Sequence, residues 1–142
     1  MLNFRKSKRG FTLIELMVVV AIIGVLALLG LRLYTGQQQK AKNAIVKANA
    51  GTIQTLIQAE LADTTSTLVN AMLTATPSLF AKSGIHVPDG GPQIANGTAT
   101  DIGYVVVEYL GDVGEEYFEI NGNAFSSTAG ATVYTTPLTA RK

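Results

Sequence analysis

A single carboxylate inside a long apolar segment is the feature of this sequence best suited to specific chemistry. Residues 11–31 form an apolar segment of twenty-one residues with one formal charge, Glu15. A transmembrane helix needs about 20 such residues, and a carboxylate at its centre costs roughly 3 kcal/mol. A charge kept at that cost predicts a functional role for Glu15 and a cationic partner for its side chain.

The nearest candidate partner is an amine. If the chain were cut between Gly10 and Phe11, the new α-amino group of Phe11 would lie at the membrane edge, four residues before Glu15. Four residues of helix rise only about 6 Å, but the Glu15 side chain projects sideways. The amine of a neighbouring chain offset by one turn fits better, which predicts an assembly role. The alternative is that Glu15 simply reaches water near the headgroups.

Side chains suited to catalysis are scarce. The sequence has no cysteine and one histidine, His86, which lies in a turn-rich stretch without a Gly-x-Ser-x-Gly elbow anywhere in the chain. Zinc sites require several Cys or His ligands. Acidic residues near predicted turns are weak calcium candidates: Asp101, Asp112, Glu115, Glu116 and Glu119. They lack EF-hand spacing, so solvated acids are the favoured interpretation, and the sequence predicts no catalytic residue, no cofactor and no enzyme.

The residues before the apolar segment form a basic leader. It contains no acid and four basic residues: Arg5, Lys6, Lys8 and Arg9. The positive-inside rule therefore keeps the N-terminus cytoplasmic and sends the C-terminal part outward. An ordinary secretory signal would have an apolar region of about 7 to 15 residues and a small-residue cleavage site. The apolar segment here is longer and contains Glu15, which ranks that interpretation lower.

A long helix is predicted from Phe11 to about Ala62, and it includes Glu15. At 1.5 Å per residue its length is roughly 78 Å. Its outer half has an apolar face with three- and four-residue spacing: Ala41, Ala44, Ile45, Ala48, Thr52, Ile53, Leu56, Ile57 and Leu61. The other face is polar: Lys40, Lys42, Asn43, Lys47, Asn49, Gln54 and Gln58. Gly24 and Gly30 leave open whether the membrane half loosens.

After Asp63 the composition changes to that of a small mixed domain. A short helix over Leu68–Leu73 precedes Pro77, and a turn-rich loop spans Ser83–Asp101. Three strands are predicted at 102–110, 117–120 and 131–136, with hairpin turns at 111–114 and 121–123. The predicted class is α+β, with one long helix packed on a small antiparallel sheet. The predicted parts are a leader at 1–10, an anchor half of the helix at 11–36 and a head at 37–142.

Residues 1–31 resemble the class III signal sequence of bacterial type IV pilins and of the pseudopilins of type II secretion. In that family a basic leader ends in Gly before an F-T-L-I-E run, matched here by Gly10 to Glu15. The resemblance implies that a membrane aspartyl protease, the prepilin peptidase, cuts after Gly10 and methylates the amine of Phe11. It also implies that Glu15 neutralises the N-terminal amine of an adjacent subunit, and that the head has the pilin architecture.

The function implied by this resemblance is that of a structural subunit of a type IV pilus-like filament. The implied partners are further copies of the chain, the inner membrane, the prepilin peptidase and the pilus assembly platform, without nucleic acid. The implied location is the inner membrane for the precursor and an extracellular filament afterwards. Three alternatives stay open: a major pseudopilin of type II secretion, a competence pilin hinted at by Arg141 and Lys142, and a membrane-anchored exported enzyme or binding protein.

The charges of the cleaved chain are unevenly distributed. Without the leader, seven basic and ten acidic side chains give a net charge of −3, so the basic pI is no evidence for nucleic-acid binding. Basic residues lie on the helix, namely Arg32, Lys40, Lys42 and Lys47, and acidic ones in the sheet region, namely Asp101, Glu108, Asp112, Glu115, Glu116 and Glu119. Stacked subunits could pair these patches, and ordinary solvated faces are the alternative.

Overall fold

The computed structural model describes residues 10–111, 115–125 and 131–139. In chain order the elements are α1 (Leu13–Asp63), α2 (Ser66–Thr74), α3 (Leu79–Ser83), β1 (Val105–Leu110), β2 (Tyr117–Asn123) and β3 (Thr132–Thr139). A long N-terminal helix and a three-stranded antiparallel sheet confirm the predicted α+β class. The chain forms two compact units, Met1–Gln37 and Gln38–Lys142, and α1 contributes to both.

The first unit contains the apolar part of α1. This helix is long and apolar enough to cross a membrane, judged by length and composition. Every residue from Gly10 to Ala41 is exposed, and the helix runs without a break through Gly24 and Gly30. Phe11 is 78% exposed and Leu33 73%. An apolar surface of this extent requires lipid or other protein chains as cover.

In the second unit, α1 packs on the sheet through a face that differs from the predicted one. The buried residues are Val46, Ala50, Ile53 and Ile57, spaced by four, three and four residues. The predicted face is right from Ile53 onward and wrong before it, because its first five members are exposed: Ala41, Ala44, Ile45, Ala48 and Thr52. Most of those side chains are small, so burying them removes little apolar surface from water.

The predicted polar face of α1 also takes part in packing. Four of its side chains contact the head: Lys42 with Asp89, Asn43 with the Phe125 N–H, Asn49 with the His86 carbonyl and Gln54 with the Tyr134 hydroxyl. Their donor–acceptor distances lie between 2.5 and 2.8 Å. Hydrogen bonds on this side of the helix therefore fix its rotation about its own axis. Periodicity alone cannot separate a polar side chain in water from one bonded to a neighbouring loop.

The sheet has the strand order β1-β2-β3, with both pairs antiparallel. Val107 pairs with Ile120, and Phe118 pairs with Leu138, on the face that packs on the helices. The core of the head combines this face with apolar residues of all three helices: Ala50, Ile53, Ile57, Val69, Leu73, Leu79 and Phe80. Strand alternation places Glu108 and Glu119 directly opposite each other on the outer face of the sheet.

The exposed edge of β1 is closed by two side-chain amides. Gln93 Oε1 accepts a hydrogen bond from the Val105 N–H at 3.0 Å, and its Nε2 donates to the Val105 carbonyl at 2.6 Å. Asn96 does the same for Val107, at 2.9 and 2.7 Å. The turn-rich loop thus satisfies edge groups that would otherwise be open to pairing with another chain.

The predicted turn at 121–123 is wrong, because these residues belong to β2: Asn121 and Gly122 pair with both neighbouring strands, and Asn123 pairs with β3. A Cβ added at Gly122 would lie 2.9 Å from Val46 Cγ1, so glycine here allows α1 to approach the strand. The other predicted turn, 111–114, lies largely outside the described residues. The predicted second helix is present as α2, whereas α3 was not predicted; Ser78 caps it by accepting from the Ala81 N–H.

Opposite effects on stability are expected for two alanine substitutions at glycines. Gly122→Ala should lower the free energy of unfolding by about 1–3 kcal/mol, because the new methyl group overpacks against Val46. Gly51→Ala should raise it by about 0.5–1 kcal/mol, because nothing lies within 4 Å of the added Cβ in the interior of α1. Thermal unfolding of the full chain in detergent measures both. Equal effects of the two substitutions would contradict this assignment of Gly122.

Candidate functional site

The start of α1 is closed by three reciprocal hydrogen bonds between Thr12 and Glu15. The Thr12 N–H and hydroxyl donate to Glu15 Oε2 at 2.9 and 2.7 Å. The Glu15 N–H is 3.4 Å from Thr12 Oγ1, which accepts from it. This arrangement is a capping box, in which the residue before the helix and the third helical residue satisfy each other's backbone donors.

Only one of the two carboxylate oxygens of Glu15 is used in this cap. Among the described residues, Glu15 Oε1 has no hydrogen-bond partner. The side chain lies beside a shallow apolar depression of about 340 Å³, lined by Phe11, Ile14, Val18 and Val19. This oxygen is therefore accessible to a group of another molecule that packs on the apolar depression. The apolar surroundings strengthen any ionic hydrogen bond formed there.

The predicted cleavage point lies just outside the helix. Gly10 and Phe11 precede Leu13, the first helical residue, and both are exposed. A Cβ added at Gly10 would meet nothing within 4 Å. The peptide bond between them is thus free of the helical hydrogen-bond ladder and open to an enzyme. The leader cations Arg5, Lys6, Lys8 and Arg9 lie outside the described residues.

Thr12 is the residue of this site that the sequence reasoning did not single out. Its spacing to Glu15 is that of the S/T-x-x-E capping box directly before an apolar run, a signal that could have identified it. Thr12 supplies two donors to the carboxylate, so it lowers the cost of holding Glu15 at the start of an apolar helix.

Loss of this cap should loosen the first turn of α1. Thr12→Val keeps the shape of the side chain but removes the hydroxyl, and should cost about 1 kcal/mol at the helix start. Thr12→Ser should restore the cap. Amide hydrogen exchange of Ile14–Met17 in detergent micelles reports the change as roughly five- to tenfold faster exchange in Thr12→Val. Unchanged protection in the valine variant would show that the cap does not hold this turn.

The weak calcium candidates do not come together among the described residues. No group of three or more Asp, Glu, His or Cys side chains placed to hold a metal is found in ranges 10–111, 115–125 and 131–139. Asp101 accepts from the Thr98 N–H at 2.7 Å, and Glu119 from Asn121 at 2.9 Å. Asp112 lies outside the described residues, and Glu115 and Glu116 lie between it and β2.

His86 has a local structural role. Its Nδ1 lies 3.0 Å from the Gly84 carbonyl, and its own carbonyl accepts from Asn49 at 2.8 Å. It forms an isolated antiparallel bridge with Pro92. These contacts tie the loop after α3 to α1.

Comparison with known proteins gives one family model and a set of curated relatives. Residues 5–31 match the model described as the prokaryotic N-terminal methylation motif. A probable minor fimbrial protein of Dichelobacter nodosus is 34% identical over 97 residues, 68% of this chain and 61% of that protein. The type IV major fimbrial protein FimA of the same organism is 33% identical over 99 residues, 70% of this chain and 60% of that protein.

A further relative matches over a shorter stretch of the chain. The type IV major pilin protein PilA of Myxococcus xanthus is 44% identical over 53 residues, 37% of this chain and 24% of that protein. The chain thus spans 61% or less of the length of these three relatives. No solved structure is significantly similar to the chain.

The methylation motif, the exposed apolar helix and the small antiparallel sheet define a class of proteins with an N-terminal methylation helix and an α+β head. The fimbrial and pilin relatives narrow this class, and together with the methylation motif they support a type IV pilin family for the chain. This confirms the resemblance seen in residues 1–31. The relatives quoted are named fimbrial proteins or a pilin, which supports the prediction that the chain is not an enzyme.

Proposed function

We propose that this chain is a structural subunit of a type IV pilus-like filament. In this proposal prepilin peptidase hydrolyses the peptide bond between Gly10 and Phe11, and the new amine of Phe11 is methylated. The parts are then a leader at 1–10, an anchor and assembly half of α1 at 11–36 and a head at 37–142. The precursor sits in the membrane, and the cleaved chain is incorporated into an extracellular filament.

The observation that carries this proposal is the exposed apolar half of α1, at whose start one carboxylate oxygen of Glu15 has no partner among the residues described. Apolar helices leave lipid only for an environment of equal apolarity, and a bundle of identical helices provides one through close packing. The charged amine of Phe11 in a second copy then donates a hydrogen bond to the remaining oxygen of Glu15. In this pairing Thr12 keeps its bonds to the other oxygen, so both charges are matched in the bundle.

The names of the relatives favour a pilus over the alternatives. Those quoted above are called fimbrial proteins or a pilin. A competence role is not supported by the described residues, because Arg141 and Lys142 lie outside them. A monomeric anchored enzyme would leave the apolar half of α1 in lipid for the life of the protein.

The test combines imaging with mass spectrometry of the native subunit. Filaments sheared from cells should contain this chain beginning at Phe11, with one methyl group on its amine. Deletion of the gene should remove those filaments, and complementation should restore them. Detection of the chain only in the membrane fraction with no filament, or a mature N-terminus elsewhere, would refute the proposal.

A further inference from the structure

Two carboxylates lie side by side on the outer face of the sheet. Glu108 of β1 and Glu119 of β2 are directly opposed in the antiparallel register. Their neighbours Val107 and Phe118 are buried, so both glutamates point away from the helices. Glu108 is exposed and has no partner among the described residues, and only Asn121 donates to Glu119. Like charges in this position destabilise a sheet unless a cation offsets them.

Two lysines lie on one side of α1 in the head. Lys40 and Lys47 are seven residues apart, which places them on the same side, about 10 Å apart along the axis. Both are exposed, and neither side chain makes an ion pair or a hydrogen bond among the described residues. This basic side of the helix therefore has no counter-charge in the part of the chain that the structure describes.

Lys42 is a different case, although the sequence placed it in the same basic patch. Its Nζ forms an ion pair with Asp89 at 2.5 Å and lies 4.2 Å from the centroid of the Phe125 ring. Its charge is used to hold two loops on α1. The basic patch available to a partner is thus reduced to Lys40 and Lys47 in the head.

The lysine pair and the glutamate pair cannot neutralise each other in one chain. α1 packs on the inner face of the sheet, through Ile53 and Ile57, whereas Glu108 and Glu119 point from the outer face. The sheet itself separates the two pairs. A second copy of the chain has no such constraint and presents both charges again.

We propose that the outer sheet face of one copy, at Glu108 and Glu119, docks on the Lys40 and Lys47 side of α1 in a second copy. This inference rests on the proposed filament, which brings many copies into contact. The Cα atoms of opposite glutamates on paired strands are about 5.5 Å apart, whereas the two lysines are about 10 Å apart along α1. The long lysine side chains can span this difference. The contact sets the register between heads more than it adds affinity.

Charge reversal in the full chain tests the docking. K40E with K47E, and separately E108K with E119K, should each lower the yield of sheared filaments about tenfold, because like charges then face each other. The variant with all four reversals should recover to within about threefold of the wild type. Lys82→Glu is the matched control, since Lys82 is an exposed lysine at the end of α3 and should leave the yield unchanged.

A cysteine pair keeps the test independent of yield. The chain has no cysteine, so K47C combined with E119C introduces the only two thiols. Oxidised filaments should give a ladder of disulfide-linked chains on a non-reducing gel, and K82C with E119C should not. Wild-type yield in both reversal doubles, no recovery in the quadruple variant, or no ladder would overturn the docking while leaving the filament proposal intact. Absence of filaments from the wild-type chain would instead refute the filament proposal and the docking with it.

Discussion

Filaments should fall by a factor of about 100 or more when Glu15 is replaced by leucine, because a desolvated cation then has no partner. This loss of filaments is opposite in direction to the effect of the substitution on membrane anchoring. Leucine makes α1 more apolar and so strengthens its hold on the membrane. Weak anchoring therefore cannot explain the loss. The missing element is the carboxylate that offsets the Phe11 amine of the neighbouring copy.

The measurement is the amount of sheared filament relative to the total amount of cleaved subunit. Ile14→Leu is the matched control, since it changes the adjacent residue to the same side chain and should leave filaments unchanged. Glu15→Gln separates the two roles of the side chain, because the amide oxygen can still accept from Thr12 but carries no charge. Normal filaments from a correctly cleaved Glu15→Leu chain would refute the ionic role of Glu15.

Valine at position 10 should leave the chain uncut. Gly10 has no side chain, lies outside the helix and is exposed, so the protease can bind the backbone on both sides of the scissile bond. A β-branched residue there displaces that backbone, and a displacement of about 1 Å at a reacting bond can cost a hundredfold in rate. Filaments should fall in parallel, because Phe11 then has no free amine.

Mass spectrometry of the membrane fraction measures this effect as a precursor that keeps its ten-residue leader. Folding of the head should be unaffected, since nothing lies within 4 Å of the added Cβ. Gly36→Val makes the same chemical change at an exposed glycine within α1, and cleavage of that variant should be normal. Efficient removal of the leader from Gly10→Val would show that the cut does not depend on glycine.

Local features of the sequence were sufficient for the N-terminal part of the molecule. The apolar run, the lone acid at Glu15 and the order of leader and helix can be read from composition and spacing. They depend on neighbouring residues and on the 3.6-residue period of a helix. The same holds for the α+β class and for α2, since Pro77 and the residues around Asp63 mark helix ends.

Features of the head that depend on distant residues could not be predicted in this way. Asn121, Gly122 and Asn123 read as a turn, but α1 packs against the strand at Gly122 and needs a position without a side chain. An Asn-Gly pair has the same local preference in either setting. The decision came from Val46, more than seventy residues earlier in the chain.

The sequence by itself determined which part of this protein is apolar, where its unusual carboxylate lies and which class of fold follows, because these properties are local. Only the tertiary structure decided which side of α1 faces the sheet, that Lys42 is used within the chain, and that Glu108 and Glu119 stand side by side on paired strands. The physical reason is that rotation of a helix and pairing of strands are set by contacts between residues far apart in the chain.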